Sequence, residues 1–290
     1  MKPAPFKYVA AETVEEAVAA LGEHGDEAKV LAGGQSLVPL MNLRLATPGV
    51  LVDVNRIAEL SGVRANGNLE IGAVTRQAAI ERSAEARAAA PLVVEALRHV
   101  AHPPIRSRGT IGGTVAHADP AAEIPAVLLA LGGEVVARGP GGERTIPADE
   151  LFQGYFTTAL QPDELLTSVR FPAQGPGART ALQEVARKQA DFALAGAVVA
   201  ANVGDDGTCE SARIVLFGVA DRPLRAPGAE EAVTSRSLAD VAVLADAAQS
   251  AAAGIDPTGD AHASAEYRKE VAGVLVRRAL TTVAEGGVQA

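Results

Sequence analysis

Apolar positions follow two rhythms along this chain. Val14, Ala17, Val18 and Leu21 recur at i, i+3, i+4 and i+7, the spacing of one helix face. Thr13 stands where an N-cap belongs, and Glu16 three residues later completes a capping box. Gly22 and Gly25 end the stretch. Short apolar runs at residues 6–10, 29–32 and 50–54 have the length of strands. Residues 37–45 are apolar with Asn42 and Arg44 interleaved, which predicts a helix broken at Pro48-Gly49. The order strand, helix, strand, helix, strand is a small α/β unit.

The pattern then changes. Asn66-Gly67 between two short strands signals a hairpin, because a tight turn needs positive φ at its centre. Thr75 opens an Ala-rich helix to about residue 88, and a second helix covers 92–100 until His102-Pro103-Pro104 stops it. A short apolar helix at 124–131 precedes a hairpin around Gly139-Pro140-Gly141-Gly142, a brief helix at 149–152 and a strand at 164–171. Gln174-Gly175-Pro176-Gly177 reads as a linker. Beyond it, strands at 182–187, 192–203 and 209–219 predict an antiparallel sheet. Ser237 is placed to cap a helix that turns Leu238, Val241, Leu244, Ala245 and Ala248 inward. The longest helix, 264–283, carries Tyr267, Val271, Val274, Leu275, Leu280 and Val283 over a wide arc, so burial on more than one side is expected. This half is α+β, with helices on one sheet face.

Composition narrows the function. A length of 290 residues suits two or three domains. Aromatics make up 3% with no Trp, and the net charge is −9. Neither favours nucleic acid or an anionic membrane as partner. No apolar run reaches the length of a membrane span, and residues 1–6 lack the apolar core of a signal peptide, so a cytoplasmic protein is expected. The sole cysteine, Cys209, cannot build an internal disulfide, a Cys-rich zinc site or an iron–sulfur cluster.

Two glycine turns carry the candidate chemistry. Lys29-Val30-Leu31 runs into Ala32-Gly33-Gly34-Gln35-Ser36, and Thr110-Ile111-Gly112-Gly113-Thr114 echoes it. A glycine pair lets backbone N–H groups crowd toward an anion, and a following helix N-terminus favours negative charge. Arg106 and Arg108 could balance a diphosphate at the second turn. Neither turn is a P-loop or a dinucleotide fingerprint; each alone reads first as a plain strand-to-helix turn, and it is the pair in one α/β half that brings a ligand level with that reading. Asp119 and Glu123 could hold ribose hydroxyls or cap the helix that begins near Ile124. His99, His102, His117 and Asp119 meet no recognised metal spacing. Arg187, Lys188 and Asp191 either border a ligand or face water. No nucleophile–base pair is evident.

With these residues in view, the sequence resembles the FAD-binding medium subunit of the molybdenum hydroxylases, the carbon monoxide dehydrogenase and xanthine dehydrogenase group. The two glycine turns in this order carry the resemblance, together with Ala116-His117-Ala118-Asp119-Pro120 and the stretches Ser264-Ala265-Glu266-Tyr267-Arg268 and Arg277-Arg278-Ala279-Leu280. It implies an α/β + α+β fold: a two-lobed FAD-binding domain of the PCMH type at residues 1–175, with lobes of about 1–57 and 58–175. An α+β C-terminal domain of the CO dehydrogenase flavoprotein type, at 178–290, closes over the flavin. It places Ala32, Gly33, Gly34, Gln35, Ser36, Thr110, Ile111, Gly112, Gly113 and Thr114 on the FAD pyrophosphate and ribityl, with Lys29 beside the first turn. Glu123 falls at the adenosine side, with Asp119 in the same stretch, and Leu166 near the isoalloxazine. Thr114 stands where Asn or Ser is common, and Gln183 and Glu184 stand where relatives often carry Lys.

The resemblance implies an electron-transfer subunit with no general base of its own. A large partner would hold the molybdenum cofactor, and a small partner [2Fe-2S] clusters. FAD on this chain would pass electrons to an external acceptor. Two other readings are a self-contained FAD oxidoreductase of the same fold and an assembly subunit without flavin.

Overall fold

A computed structural model describes residues 1–175 and 177–288. Pro176, in the expected linker, lies outside the described residues. The N-terminal lobe is a parallel sheet of β1 (Lys7–Ala10), β2 (Ala28–Leu31) and β3 (Val50–Asp53) in the order β1-β3-β2. Helix α1 (Val14–His24) buries Val14, Ala17, Val18 and Leu21, the face its spacing predicts. The Thr13 hydroxyl accepts from the Glu16 amide at 3.1 Å, while the Glu16 carboxylate turns back one residue further than a capping box requires, to the Glu12 amide. Helix α2 (Leu37–Asn42) follows the first glycine turn and stops three residues before the apolar pattern does.

The second lobe is antiparallel throughout. Its sheet has the order β4-β5-β10-β6-β7, from β4 (Val63–Asn66), β5 (Asn68–Gly72), β6 (Glu134–Gly139), β7 (Gly142–Pro147) and β10 (Leu165–Pro172). Asn66 pairs with Asn68, and only Gly67 has positive φ (78°), so the hairpin is one residue tighter than expected. The Ala-rich stretch is two helices, α3 (Gln77–Glu81) and α4 (Ala84–Ala89), because the Ser83 hydroxyl caps a new start. Next come α5 (Pro91–His99), α6 (Pro103–Arg106), α7 (Ile111–His117) and α8 (Glu123–Ala130). Every residue of α8 is buried. Helix α9 (Ala148–Leu151) and a small ribbon of β8 (Phe152–Gly154) and β9 (Thr157–Thr158) complete the lobe.

The last part pairs β11 (Ala178–Ala186), β12 (Ala193–Val203), β13 (Thr208–Phe217) and β14 (Leu224–Arg225), with β15 (Arg236–Ser237) joined to β13. Ser237 therefore sits in a strand rather than capping a helix. Asp240 caps α11 (Val241–Ala253) instead, accepting from the Ala242 amide at 2.9 Å. Helix α10 (Pro227–Val233) carries no periodic signal strong enough to read from sequence. Helix α12 (Ala265–Ala284) is buried along Ala272, Leu275, Val276, Ala279, Leu280 and Val283, while Tyr267 is 44% exposed against expectation. Residues on one face of this sheet pack with α10, α11 and α12. Its other face, through Leu182, Val198, Val215 and Phe217, joins the core built on α5 and α8. Covering on both faces explains why β12 reads as an unbroken apolar run.

Candidate functional site

A cavity of about 640 Å³ opens where the first glycine turn, the second glycine turn and the loop between β11 and β12 converge. That volume lies in the range of small-molecule and cofactor sites. Strand β2 ends at Leu31 and the chain turns through Gly34 at φ 72°, a backbone state that glycine adopts without strain. The turn is closed from behind by Val38 N–H to Gly34 O and Leu40 N–H to Ser36 O. The amides of Gly33, Gly34, Gln35 and Ser36 have no partner among the described residues. The Gln35 side chain folds onto its own turn, its amide donating to Gly33 O at 3.1 Å.

The second turn is built differently. Thr110 caps α7 by accepting from the Gly113 amide at 3.1 Å. The Ile111 amide donates to Thr75 O, that of Gly112 to Ala73 O and that of Thr114 to Thr110 O. All four leading amides are thus used within the protein, so the expectation of two equivalent amide nests does not hold. The glycines here serve close packing. A Cβ on Gly112 would lie 2.6 Å from the Ala73 Cβ, and one on Gly113 would lie 2.7 Å from the Thr110 hydroxyl. Gly33 obeys the same logic: its missing Cβ points at Arg108 O, 2.6 Å away, and at the Gly109 Cα, 2.8 Å away. The two turns touch backbone to backbone.

A clamp that sequence reasoning missed holds them. The Asn55 side-chain amide donates to Ala32 O at 2.8 Å, and Arg76 donates to Asn55 Oδ1 at 2.6 Å and to Arg108 O at 2.7 Å. No motif marks these two residues; only the fold brings them together. Replacing Arg76 with Met is expected to raise the dissociation constant for FAD about tenfold, about 1.4 kcal/mol, with little change in melting temperature. Equilibrium titration of the flavin-stripped protein checks this, and an unchanged constant would remove the clamp from the binding argument. Arg106 does not face the cavity. It is buried, with Nε on Glu81 at 3.0 Å and Nη1 on Val100 O and Ala101 O, which satisfies carbonyls at the end of α5. The Arg108 side chain is exposed and outside the cavity wall.

Lys29, Ala32, Gly33, Gly34, Gln35, Ser36, Thr110, Gly112, Gly113, Thr114, Asp119, Glu123 and Leu166 all line the cavity. Ile111 does not: its side chain is fully buried in the core. The Asp119 carboxylate accepts from the Ala121 amide at 2.9 Å, an Asx turn that leads into α8. Glu123, in the first turn of α8, is 7% exposed. Burial and the neighbouring Glu184 push its carboxyl up to about 8. Leu166 sits beside a β-bulge between Leu166 and Ser168, the kind of irregularity that re-aims side chains at sites. Phe156, whose ring packs on His117 at 5.0 Å between centroids, and Phe192, 70% exposed, also line the cavity. Ala190, Asp191 and Phe192 come from the C-terminal part, so Asp191 borders the cavity while also pairing with Arg187 at 3.1 Å.

The family described as FAD binding domain in molybdopterin dehydrogenase matches residues 4–174, and the CO dehydrogenase flavoprotein C-terminal domain matches residues 180–283. The chain belongs to the FAD-binding medium subunits of the molybdenum hydroxylases. It is 42% identical over 281 residues to the alpha subunit of the 6-hydroxypseudooxynicotine dehydrogenase complex of Paenarthrobacter nicotinovorans, covering 97% of this chain and 95% of that one. It is also 42% identical to the carbon monoxide dehydrogenase medium chain of Hydrogenophaga pseudoflava, over 97% of each. A solved carbon monoxide dehydrogenase from that organism, lacking the Mo-pyranopterin moiety of its cofactor, superposes with a TM-score of 0.95 at 40% identity over 98% of both chains.

FAD is the cofactor of this medium subunit, an oxidoreductase component. The donor set fits it. Four amides in one turn, unpartnered among the described residues, suit a diphosphate, and a cavity of this volume with a predominantly apolar lining suits a flavin. The histidines do not converge: His99 bonds Glu184 at 3.0 Å and His117 stacks on Phe156. Among the described residues no cluster of three metal-ligating side chains forms. Cys209 is fully buried, and burial pushes its thiol up, so it is inert. No helix of the described residues is long and apolar enough to cross a membrane.

Proposed function

We propose that this chain holds FAD as the electron outlet of a heteromeric molybdenum hydroxylase, between iron–sulfur clusters on a small partner and an external acceptor. A large partner carries the molybdenum cofactor in this reading. The observation that carries it is the row of amides from Gly33 to Ser36, unpartnered among the described residues, on the wall of a cavity that Phe156 and Phe192 also line. The first turn binds the diphosphate, with Lys29 beside it as a neighbouring cation. Thr110, Gly112, Gly113 and Thr114 shape the wall along the ribityl. Asp119 and Glu123 take the adenosine side, and Leu166 packs against the isoalloxazine. FAD supplies a ring that exchanges electrons singly or in pairs. The protein's work is to hold the ring in a cavity that these aromatic side chains help to line and to keep water from it.

The lobes 1–57 and 58–175 and the segment 178–290 are proposed as its structural units. The single buried thiol suits a reducing cytoplasm. The test is an absorption spectrum of the purified chain, with the released chromophore identified after denaturation. Intact FAD at close to one per chain is expected. A colourless chain that takes up no added FAD would refute the reading. Substrate turnover by the isolated chain would favour a self-contained oxidoreductase.

A further inference from the structure

Glu123 is a buried carboxyl that electron transfer does not call for. It lies on the wall of the cofactor cavity at the first turn of α8. The C-terminal sheet brings a second carboxyl within range of its charge. Glu184 on β11 accepts from His99 Nδ1 through Oε1 at 3.0 Å, and its Oε2 is buried with no partner among the described residues. His99, on α5, also approaches Glu95 at 3.9 Å. The cluster thus joins three elements: α8 and α5 of the FAD-binding part and β11 of the C-terminal part.

We propose that Glu123 contacts the bound cofactor as a neutral carboxylic acid, donating a hydrogen bond to an acceptor on the nucleotide half, and that Glu184 across the domain boundary keeps it neutral. This rests on the FAD reading above and adds a protonation state to it. The physical argument is one of charge. A carboxylate inside an apolar wall loses its hydration, and a second carboxylate nearby penalises it again. Glu184 already has His99 as counter-charge, and the hydrogen bond to Glu184, with its charge, holds His99 above the ordinary histidine range. That leaves Glu123 with no cation of its own. Its own backbone amide, donating to the carboxyl, and then His99 compensate in part, Asp119 in the loop before α8 adds a further negative contribution, and the sum, led by burial, pushes Glu123 up to about 8. The arginines on strands packed against α8 are occupied: Arg213 with Asp149 and Arg225 with Glu230. A protonated carboxyl is a donor as well as an acceptor, which a carboxylate is not. Filling the cavity removes its remaining contact with water, so the bound cofactor holds the proton more tightly than the empty site does.

Binding is therefore linked to one proton. Below pH 8 the acid is already protonated and affinity is flat. Above it, affinity falls up to about tenfold per pH unit, because binding must take up a proton. The experiment is equilibrium titration of flavin-stripped full chain with FAD from pH 6 to 9.5, with calorimetry in two buffers of different ionisation enthalpy. The wild type should show the break and uptake of about one proton at pH 9. Glu123→Gln keeps a donor and cannot ionise, so its affinity should stay flat to pH 9.5. Glu184→Gln removes the repelling charge, so the break should move to lower pH. His99→Gln removes the compensating charge, so the break should move up. A wild-type profile with no break, a break that survives in Glu123→Gln, or one that Glu184→Gln leaves in place would each overturn the proposal while leaving FAD binding intact. No FAD binding at any pH would instead refute the cofactor reading itself.

Discussion

Gly33→Val is expected to release FAD and loosen the two lobes together. Its Cβ would sit 2.6 Å from Arg108 O and 2.8 Å from the Gly109 Cα, both backbone atoms that cannot swing aside. Overpacking of this kind costs about 1–3 kcal/mol and forces the backbones apart. The displaced turn is the one whose amides are free, so FAD occupancy should fall about tenfold or more. Gly34→Ala is the informative contrast. It strains a backbone at φ 72° by about 1–2 kcal/mol but meets only the Val38 and Leu31 side chains, at 3.3 and 3.4 Å. Flavin content and thermal melts of both variants check this. Full occupancy in Gly33→Val would show that contact between the turns is unimportant for binding.

Arg268→Met is expected to be the most damaging change in the C-terminal part. The Arg268 guanidinium is buried under α12, where Nη1 donates to Leu194 O and to Gly218 O (2.9 Å) and Nη2 reaches Asp260 at 2.7 Å. Leu194 lies at the start of β12, directly after the Ala190–Asp191–Phe192 loop on the cavity wall. Losing the donor strands buried carbonyls, at a cost of about 2–4 kcal/mol. The loop should then relax, so iodide should quench the fluorescence of bound flavin more readily than in the wild type. An unchanged melt would show that water replaces the guanidinium without loss. Asp260 gives this anchor an acid limit. The amides of His262 and Ala263, then Arg268, hold its carboxyl down to about 2. Its contribution is present above the ordinary carboxylate range, about pH 4, and is lost as the pH falls through 2.

Local rules were legible where the physics was local. The α1 face and the strand ahead of the first glycine turn both follow from spacing and residue type within a few positions. The pair of turns was also enough to suggest the family. The errors come from contacts across long stretches of chain. Arg106 looked like a phosphate ligand because it precedes the second turn, yet Glu81 and two carbonyls claim it. Ser237 looked like a cap, but pairing with Thr208 draws it into a strand. Tyr267 fitted an apolar arc that only the packing of α11 on α12 could orient; Gly273 lets them approach until a Cβ there would lie 3.0 Å from Ala248 O.

By itself the sequence determined the α/β and α+β pattern, the absence of a cysteine set for iron–sulfur clusters, and a first turn able to present amides to a diphosphate. Only the tertiary structure decided that the second turn is a packing element, that Asn55 and Arg76 clamp the two, and that Glu123 is buried within range of a carboxylate's charge from the far half of the chain. The division has one physical reason. Backbone conformation and capping are set within about one helical turn. Which amides are left free, and which charges lose their water, depends on residues tens of positions away, which sequence spacing does not encode.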